Sequence, residues 1–308
     1  MGEIISAIRD YLTPSPPPSP PPPSSPQPSS TLWSPYPTST YTPEELRTII
    51  DDKQRKSKDI QNNRKFRIVI CACGKDGKSS SINNILSALE GAYSQTANEG
   101  GQTDHVTVEY SEYDMLPVGT DSTSYVICDT PGLKDGVSVN ELHVQSEAIK
   151  AAIMGKFQHK EEIIYTNLTV AELEAKTIRQ DRAVCVIFVI DIRKVVQGVI
   201  DESMAFESMK TILMFAQNKN ISVSCLLTFC DELDNNVKND VSMIYSSSLV
   251  ENARQQLQKK FNCFPSNRIF PIVNYTESLE VDHDRMVISL FALKHIMSDI
   301  YSNLRKRK

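Results

Sequence analysis

Apolar residues along this chain gather into short runs, separated by longer stretches where they recur every three or four positions. The runs are 66–71 (FRIVIC), 125–128 (YVIC), 184–190 (VCVIFVI), 223–230 (VSCLLTFC) and 269–273 (IFPIV). Each is rich in β-branched residues, the pattern of strands buried on both faces of a parallel sheet. A further run at 106–112 (VTVEYSE) alternates polar and apolar and predicts an edge strand. Helical spacing appears near 78–89, 138–154, 201–217 and 247–260. A last helix is predicted over about 284–304, with Met286, Leu290, Leu293, Met297, Tyr301 and Leu304 at helical spacing. Before the first strand a helix carries its own start signal: Thr42 as N-cap, Pro43 at the first helical position, and Glu44 and Glu45 in the first turn. Strands alternating with helices predict an α/β fold, a doubly wound and mostly parallel sandwich.

Composition changes the picture at one end. Of the 17 prolines in 308 residues, 13 fall in the first 50. Residues 1–42 therefore read as a Pro/Ser-rich disordered tail, opened by a short amphipathic helix carrying Ile4, Ile5, Ile8 and Leu12. Such a tail samples polyproline II and either offers PxxP ligands to SH3- or WW-type domains or is a plain linker. Gly2 stands at the bare spacing of an acylation signal. Residues 43–304 read as one domain, and 305–308 (RKRK) as a basic tail that suits a helix C-terminus. A net charge of −5 argues against a nucleic-acid binder. No apolar run approaches the roughly 18 residues of a membrane helix, and no signal-peptide pattern is present. Seven cysteines, with Cys71 and Cys73 in or beside an apolar run, predict a reducing compartment rather than a disulfide scaffold.

The candidate chemistry lies where strands end. The first strand runs into Ala72-Cys73-Gly74-Lys75-Asp76-Gly77-Lys78-Ser79-Ser80, followed by a helix. A strand, a glycine loop, Gly-Lys-Ser and a helix make the setting of a phosphate loop. There, backbone N–H groups at a helix N-terminus face the phosphates, Lys78 neutralises the β/γ charge, and the Ser79 hydroxyl can ligate Mg²⁺. Gly74 through Ser80 are thus candidate nucleotide-binding residues, with Lys78 the candidate catalytic one. Ala72 replaces the usual first glycine; forced to positive φ it would cost about 1–2 kcal/mol, unless Gly74 takes up part of the bend.

Some fifty residues on, a strand ends in Asp129-Thr130-Pro131-Gly132. Asp129 is placed to hold Mg²⁺ directly or through water, and the Gly132 N–H to report the γ-phosphate. A third strand ends in Thr228-Phe229-Cys230-Asp231, where GTPases carry Asn/Thr-Lys-x-Asp. Asp231 can accept two hydrogen bonds from the guanine edge. Phe229 stands in place of the lysine and either stacks on the purine or is a core residue. The strand at 269–273 leads to Asn274, where a loop can close over the base.

These residues, with Phe261 to Pro265, Arg268 to Tyr275, Val184 to Asp191 and the closing helix, resemble the interferon-induced protein 44 family across roughly 43–304. That family is similar to the P-loop GTPases, is cytoplasmic and is associated with antiviral responses. The resemblance implies a G domain binding GTP or GDP with Mg²⁺, and it supports Lys78, Ser79, Asp129, Gly132, Thr228, Asp231 and Asn274. It leaves the proline-rich tail uncovered.

The remaining parts are thinner. Thr107 is the first candidate for the switch threonine that completes Mg²⁺ coordination and acts in catalysis, with Thr103 second; a solvent-facing strand threonine is the alternative. Leu133 follows Gly132, where hydrolytic GTPases often orient water with glutamine, so slow turnover or none is expected. Residues 156–182, with a solvated His159, read as an insertion or mobile connection. The expected function is a guanine-nucleotide-dependent switch or scaffold, with nucleotide-dependent self-association open. The alternative is a nucleotide-indifferent scaffold that docks through its tail.

Overall fold

The strand order reverses at the first strand, and this reversal decides where a ligand can sit. The structure is a computed structural model that describes residues 37–60, 65–97, 109–116, 124–262, 264–275 and 282–306. Seven strands form one sheet: β1 Phe66–Ala72, β2 Glu109–Asp114, β3 Tyr125–Asp129, β4 Glu161–Glu162, β5 Cys185–Asp191, β6 Ser222–Thr228 and β7 Ile269–Pro271. Their order is β4-β2-β3-β1-β5-β6-β7. β3, β1, β5, β6 and β7 run parallel, while β2 is antiparallel to β3 and to β4. The chain builds toward β3 on one side of β1 and toward β5, β6 and β7 on the other. A crevice therefore opens at the carboxyl end of β1, where adjacent connections diverge.

All residues of β1, β3, β5 and β6 are buried, as their apolar runs require. Helix α1 (Pro43–Lys58) starts on a full capping box: the Glu45 N–H donates to Thr42 Oγ1, and the Thr42 N–H donates to Glu45 Oε2. It packs with α2 (Lys78–Glu90) and the long C-terminal helix at His283–Lys306 in one layer. Helix α3 (Val139–Ile153) contributes to the other layer, against Met204–Asn218. The fold is thus the expected α/β sandwich.

Several details differ from expectation. The run at 223–230 stops as strand at Thr228 and turns into a short helix, because Phe229 takes left-handed backbone with φ 59°. β2 is not the sheet edge; the two-residue β4 covers it. The last helix buries more than one stripe: Val287, Ile288, Ala292, Ile296 and Ile300 join Leu290, Leu293, Met297 and Leu304. It lies against both α1 and α2, so more of its circumference is enclosed. Tyr301 stays half exposed, with the Lys53 ammonium 5.0 Å from its ring centroid.

Of the two readings of residues 156–182, insertion or mobile connection, the structure shows an insertion at the sheet margin. These residues supply β4, a turn that buries Tyr165, and helix α4 (Val170–Ala175). The Glu112 N–H donates to His159 Nδ1 at 2.9 Å, so this exposed histidine is tied to β2. Residues 1–36 of the tail, Gly2 among them, Thr103, Thr107 and the last two residues of the basic end lie outside the described residues, whereas Pro37–Thr40, expected within the disordered tail, form a helical turn closed by the Tyr41 N–H on Pro37 O at 2.9 Å. The described cysteines (71, 73, 128, 185, 225 and 230) are buried free thiols. Burial pushes Cys71 and Cys128 up to about 12, which makes them poor nucleophiles.

Candidate nucleotide site

The loop between β1 and α2 turns through left-handed backbone at Lys75 (φ 65°) and Gly77 (φ 81°). Ala72 is absent from the positive-φ positions: it is the last residue of β1, in register with Val189. The expected alanine penalty does not arise, because the bend falls farther along. At Gly77 a side chain would be strained by φ, and its Cβ would stand 3.2 Å from Asn274 Nδ2. Gly77 begins α2 without a side-chain cap. First-turn N–H groups have no partner within their own helix, so those of α2 form an anion-binding end.

Bonds from several elements brace this loop. The Gly74 N–H donates to Leu133 O at 2.8 Å, and the Leu133 N–H donates to Ala72 O at 2.9 Å. Gly132 allows the approach, since a Cβ there would lie 3.4 Å from Ala72 O. Thr228 Oγ1 donates to Asp76 O at 2.8 Å and Ile190 O at 3.2 Å. Asn274 Nδ2 donates to Ser81 Oγ at 3.2 Å and Gly77 O at 3.4 Å, while Asn84 Nδ2 donates to Asn274 Oδ1 at 3.3 Å. Thr228 and Asn274 therefore point their side chains at the loop and its helix, not at an open base pocket.

The two strongest charges of the site meet directly. Lys78, in the first turn of α2, forms an ion pair with Asp129 at the end of β3; their side chains are 8% and 3% exposed. Ser79 and Ser80 follow, half buried. Thr130 Oγ1 donates to Ile70 O at 2.8 Å, and buried Tyr165 donates its hydroxyl to Pro131 O at 2.7 Å, so the Asp129 turn is fixed from both sides.

Residues 67–224, about half of the chain, match a family model described as a 50S ribosome-binding GTPase. The chain belongs to this GTPase family. It is similar to interferon-induced protein 44-like of Homo sapiens, 23% identical over 267 residues, 82% of this chain and 58% of that protein. It is also similar to interferon-induced protein 44 of Pan troglodytes, 25% identical over 238 residues, 75% and 51% of the two chains. The chain thus spans a little over half the length of these curated relatives. Among solved structures, Toc33 from Arabidopsis thaliana in complex with Mg²⁺ and GMPPNP aligns with a TM-score of 0.46 and 14% identity, over 87% of this chain and 96% of that one. The resemblance to the interferon-induced protein 44 family holds, and guanine-nucleotide binding is what a GTPase domain implies.

Within this GTPase frame, the core alternative for Phe229 is not realised. Its ring is half buried, the Arg193 guanidinium lies 4.0 Å from the ring centroid, and its Cε2 borders Gly77. Asp231 sits two residues on, partly exposed, and makes no side-chain hydrogen bond or ion pair among the described residues. Leu133 is fully buried, with its main chain bridged to Cys73.

Sequence reasoning missed a charged cluster after β5. Arg193 grips Asp191 through Nε–Oδ1 (2.9 Å) and Nη2–Oδ2 (2.7 Å) and also pairs with Glu232. Lys194 pairs with Asp76, whose side chain is fully buried. Burial pushes the Asp76 carboxyl up to about 7, against the opposing pull of Lys194. The available signal was an Asp-x-Arg-Lys sequence at the carboxyl end of a buried strand.

Proposed function

We propose that the chain binds GTP or GDP with Mg²⁺ in the crevice at the carboxyl end of β1, and acts as a slowly hydrolysing switch or scaffold. The observation that carries this is Lys78 buried against Asp129 at the mouth of an uncapped helix within a GTPase domain. N–H groups of Lys75, Gly77, Lys78, Ser79 and Ser80 would cradle phosphate, while those of Gly74 and Asp76 already serve the loop. Lys78 would leave Asp129 for the phosphates. The vacated carboxylate and the Ser79 hydroxyl fit Mg²⁺, which is usually held by one or two protein oxygens plus phosphate and water. When bound, the ion would neutralise phosphate charge. Asp231 would read the guanine edge, and Phe229 would stack on the base. Thr107 remains the candidate switch threonine.

Calorimetry of GDP, GTP and ATP against wild type and Lys78→Ala tests this. Saturable guanine-nucleotide heat that Lys78→Ala removes is expected; none with any nucleotide would sink the reading. The buried Leu133 side chain has no polar group for a water, so single-turnover assays should show very slow GTP hydrolysis or none by the isolated chain. Robust Mg²⁺-dependent turnover would overturn that part. We further propose that such a switch acts in a cytoplasmic antiviral setting, with the proline-rich arm recruiting SH3- or WW-type partners; the interferon-induced relatives support this reading.

A further inference from the structure

The phosphate loop holds a negative charge where anions should bind. Asp76 lies two residues before Lys78 and is 0% exposed. Its Oδ1 pairs with Lys194, while its buried Oδ2 has no hydrogen-bond partner. Its carbonyl accepts from Thr228, and its N–H donates to Cys73 O at 3.3 Å, so the residue cannot swing away without undoing the loop. Lys194 reaches in from the short helix Ile192–Val196 after β5 and also donates to Gly74 O at 3.3 Å. It thus contacts the loop at two points. A buried carboxylate without a cation is strongly disfavoured, and its field would repel each phosphate placed on the surrounding N–H groups.

We infer that Lys194 is a positioning residue for nucleotide phosphate: it neutralises Asp76 and ties the loop to the end of β5, and without it the loop presents an uncompensated negative charge to the ligand. This rests on the nucleotide-binding reading above and assigns a role outside the glycine-lysine-serine loop. The effect is electrostatic, so it grows with phosphate count. A purely structural brace would weaken all nucleotides alike.

The test is calorimetry on the full chain with GMP, GDP and GTP at fixed Mg²⁺ and at pH 9, well above the value of about 7 to which burial raises the Asp76 carboxyl, so that this group carries its charge. Lys194→Ala should weaken GDP about tenfold and GTP about a hundredfold, with GMP least affected. Adding Asp76→Asn to that variant should return GTP affinity to within about threefold of wild type, the signature of two coupled groups. Asp76→Asn alone, which leaves Lys194 unpaired beside the phosphates, should bind GTP more tightly than wild type. It keeps the inference testable if Lys194→Ala fails to fold. Unchanged GTP affinity in Lys194→Ala, an equal loss for GMP, GDP and GTP, no recovery in the double variant, or weaker binding by Asp76→Asn would each overturn the inference alone. Absence of any saturable binding by wild type would overturn it together with the proposed function.

Discussion

The phosphate end and the base end of the crevice are organised in opposite ways. At the phosphate end the buried charges already have partners: Lys78 with Asp129, and Asp76 with the half-buried Lys194. At the base end, Asp231 is partly exposed and carries no side-chain partner among the described residues, and Phe229 is half buried under Arg193. In the proposed binding mode, ligand capture at the phosphate end would require an exchange of partners. At the base end it would require only that a base arrive. The first arrangement keeps an apo loop folded, since an unpaired buried charge is severely disfavoured; the second leaves selectivity to few residues.

The comparison breaks most visibly at Lys78. Lys78→Ala should lower GTP affinity by about a hundredfold or more, and leave Asp129 buried without its cation, so that the apo protein loses about 3–5 kcal/mol of stability. Calorimetry and denaturant unfolding would measure the two losses. A variant that melts like wild type would show that the ion pair does not support the empty loop.

At the base end the expected effects are smaller and separable. Asp231→Ala should cut the preference for GTP over ATP by about ten- to a hundredfold, the worth of one or two charge-assisted hydrogen bonds. Apo stability should hardly move, because the carboxylate is partly exposed. Phe229→Ala should weaken GTP and ATP equally, by about tenfold, since stacking is blind to base identity. Competition binding with the two triphosphates checks both. An equal loss for GTP and ATP in Asp231→Ala would remove the guanine assignment.

Much of this was legible in the sequence, because periodicity and motif spacing report local facts. The runs at 66–71 and 184–190 became fully buried strands, and Thr42 with Glu45 became a capping box. The Gly77-Lys78 step announced a helix N-terminus. Long-range pairings were not legible. Nothing in the spacing says that Thr228 donates its hydroxyl to the Asp76 carbonyl across 152 positions, or that Lys194 reaches Asp76 across 118. Residues 156–182 could be read as an insertion or as a mobile connection because the bonds that hold them, Gln180 to Phe157 O and Tyr165 to Pro131 O, are tertiary and carry no periodic signature. The Ala72 expectation failed for a related reason. A motif aligned by residue type does not reveal which position takes the left-handed turn, and here Lys75 and Gly77 take it.

The smallest expected effect is a change in pH slope, and it tests whether the charge buried at the phosphate end is a cost to the empty fold. The unfolded Asp76 carboxyl loses its proton near 3.8, whereas burial raises the folded one to about 7. Between these values the native state holds a proton that the unfolded chain has released, so raising the pH favours unfolding through this group. The penalty grows from about pH 4 to about pH 7 and then levels off, with a slope no steeper than about 1.4 kcal/mol per pH unit. Desolvation pulls Lys194 down, but the charge and hydrogen bond of Asp76, with Cys73 and Asp191, raise it above its ordinary value, so it stays charged across the window, and nearby Asp191 opposes ionisation of Asp76. The Cys71, Cys73 and Cys225 thiols, all pushed up by burial, do not titrate there. Asp76→Asn removes the titrating group, so the difference in stability between wild type and this variant should shift against wild type from pH 4 to pH 7 and stay constant above it. Urea unfolding of both proteins at half-unit pH steps measures that difference, and a flat difference across the window would show that Lys194 keeps Asp76 ionised throughout.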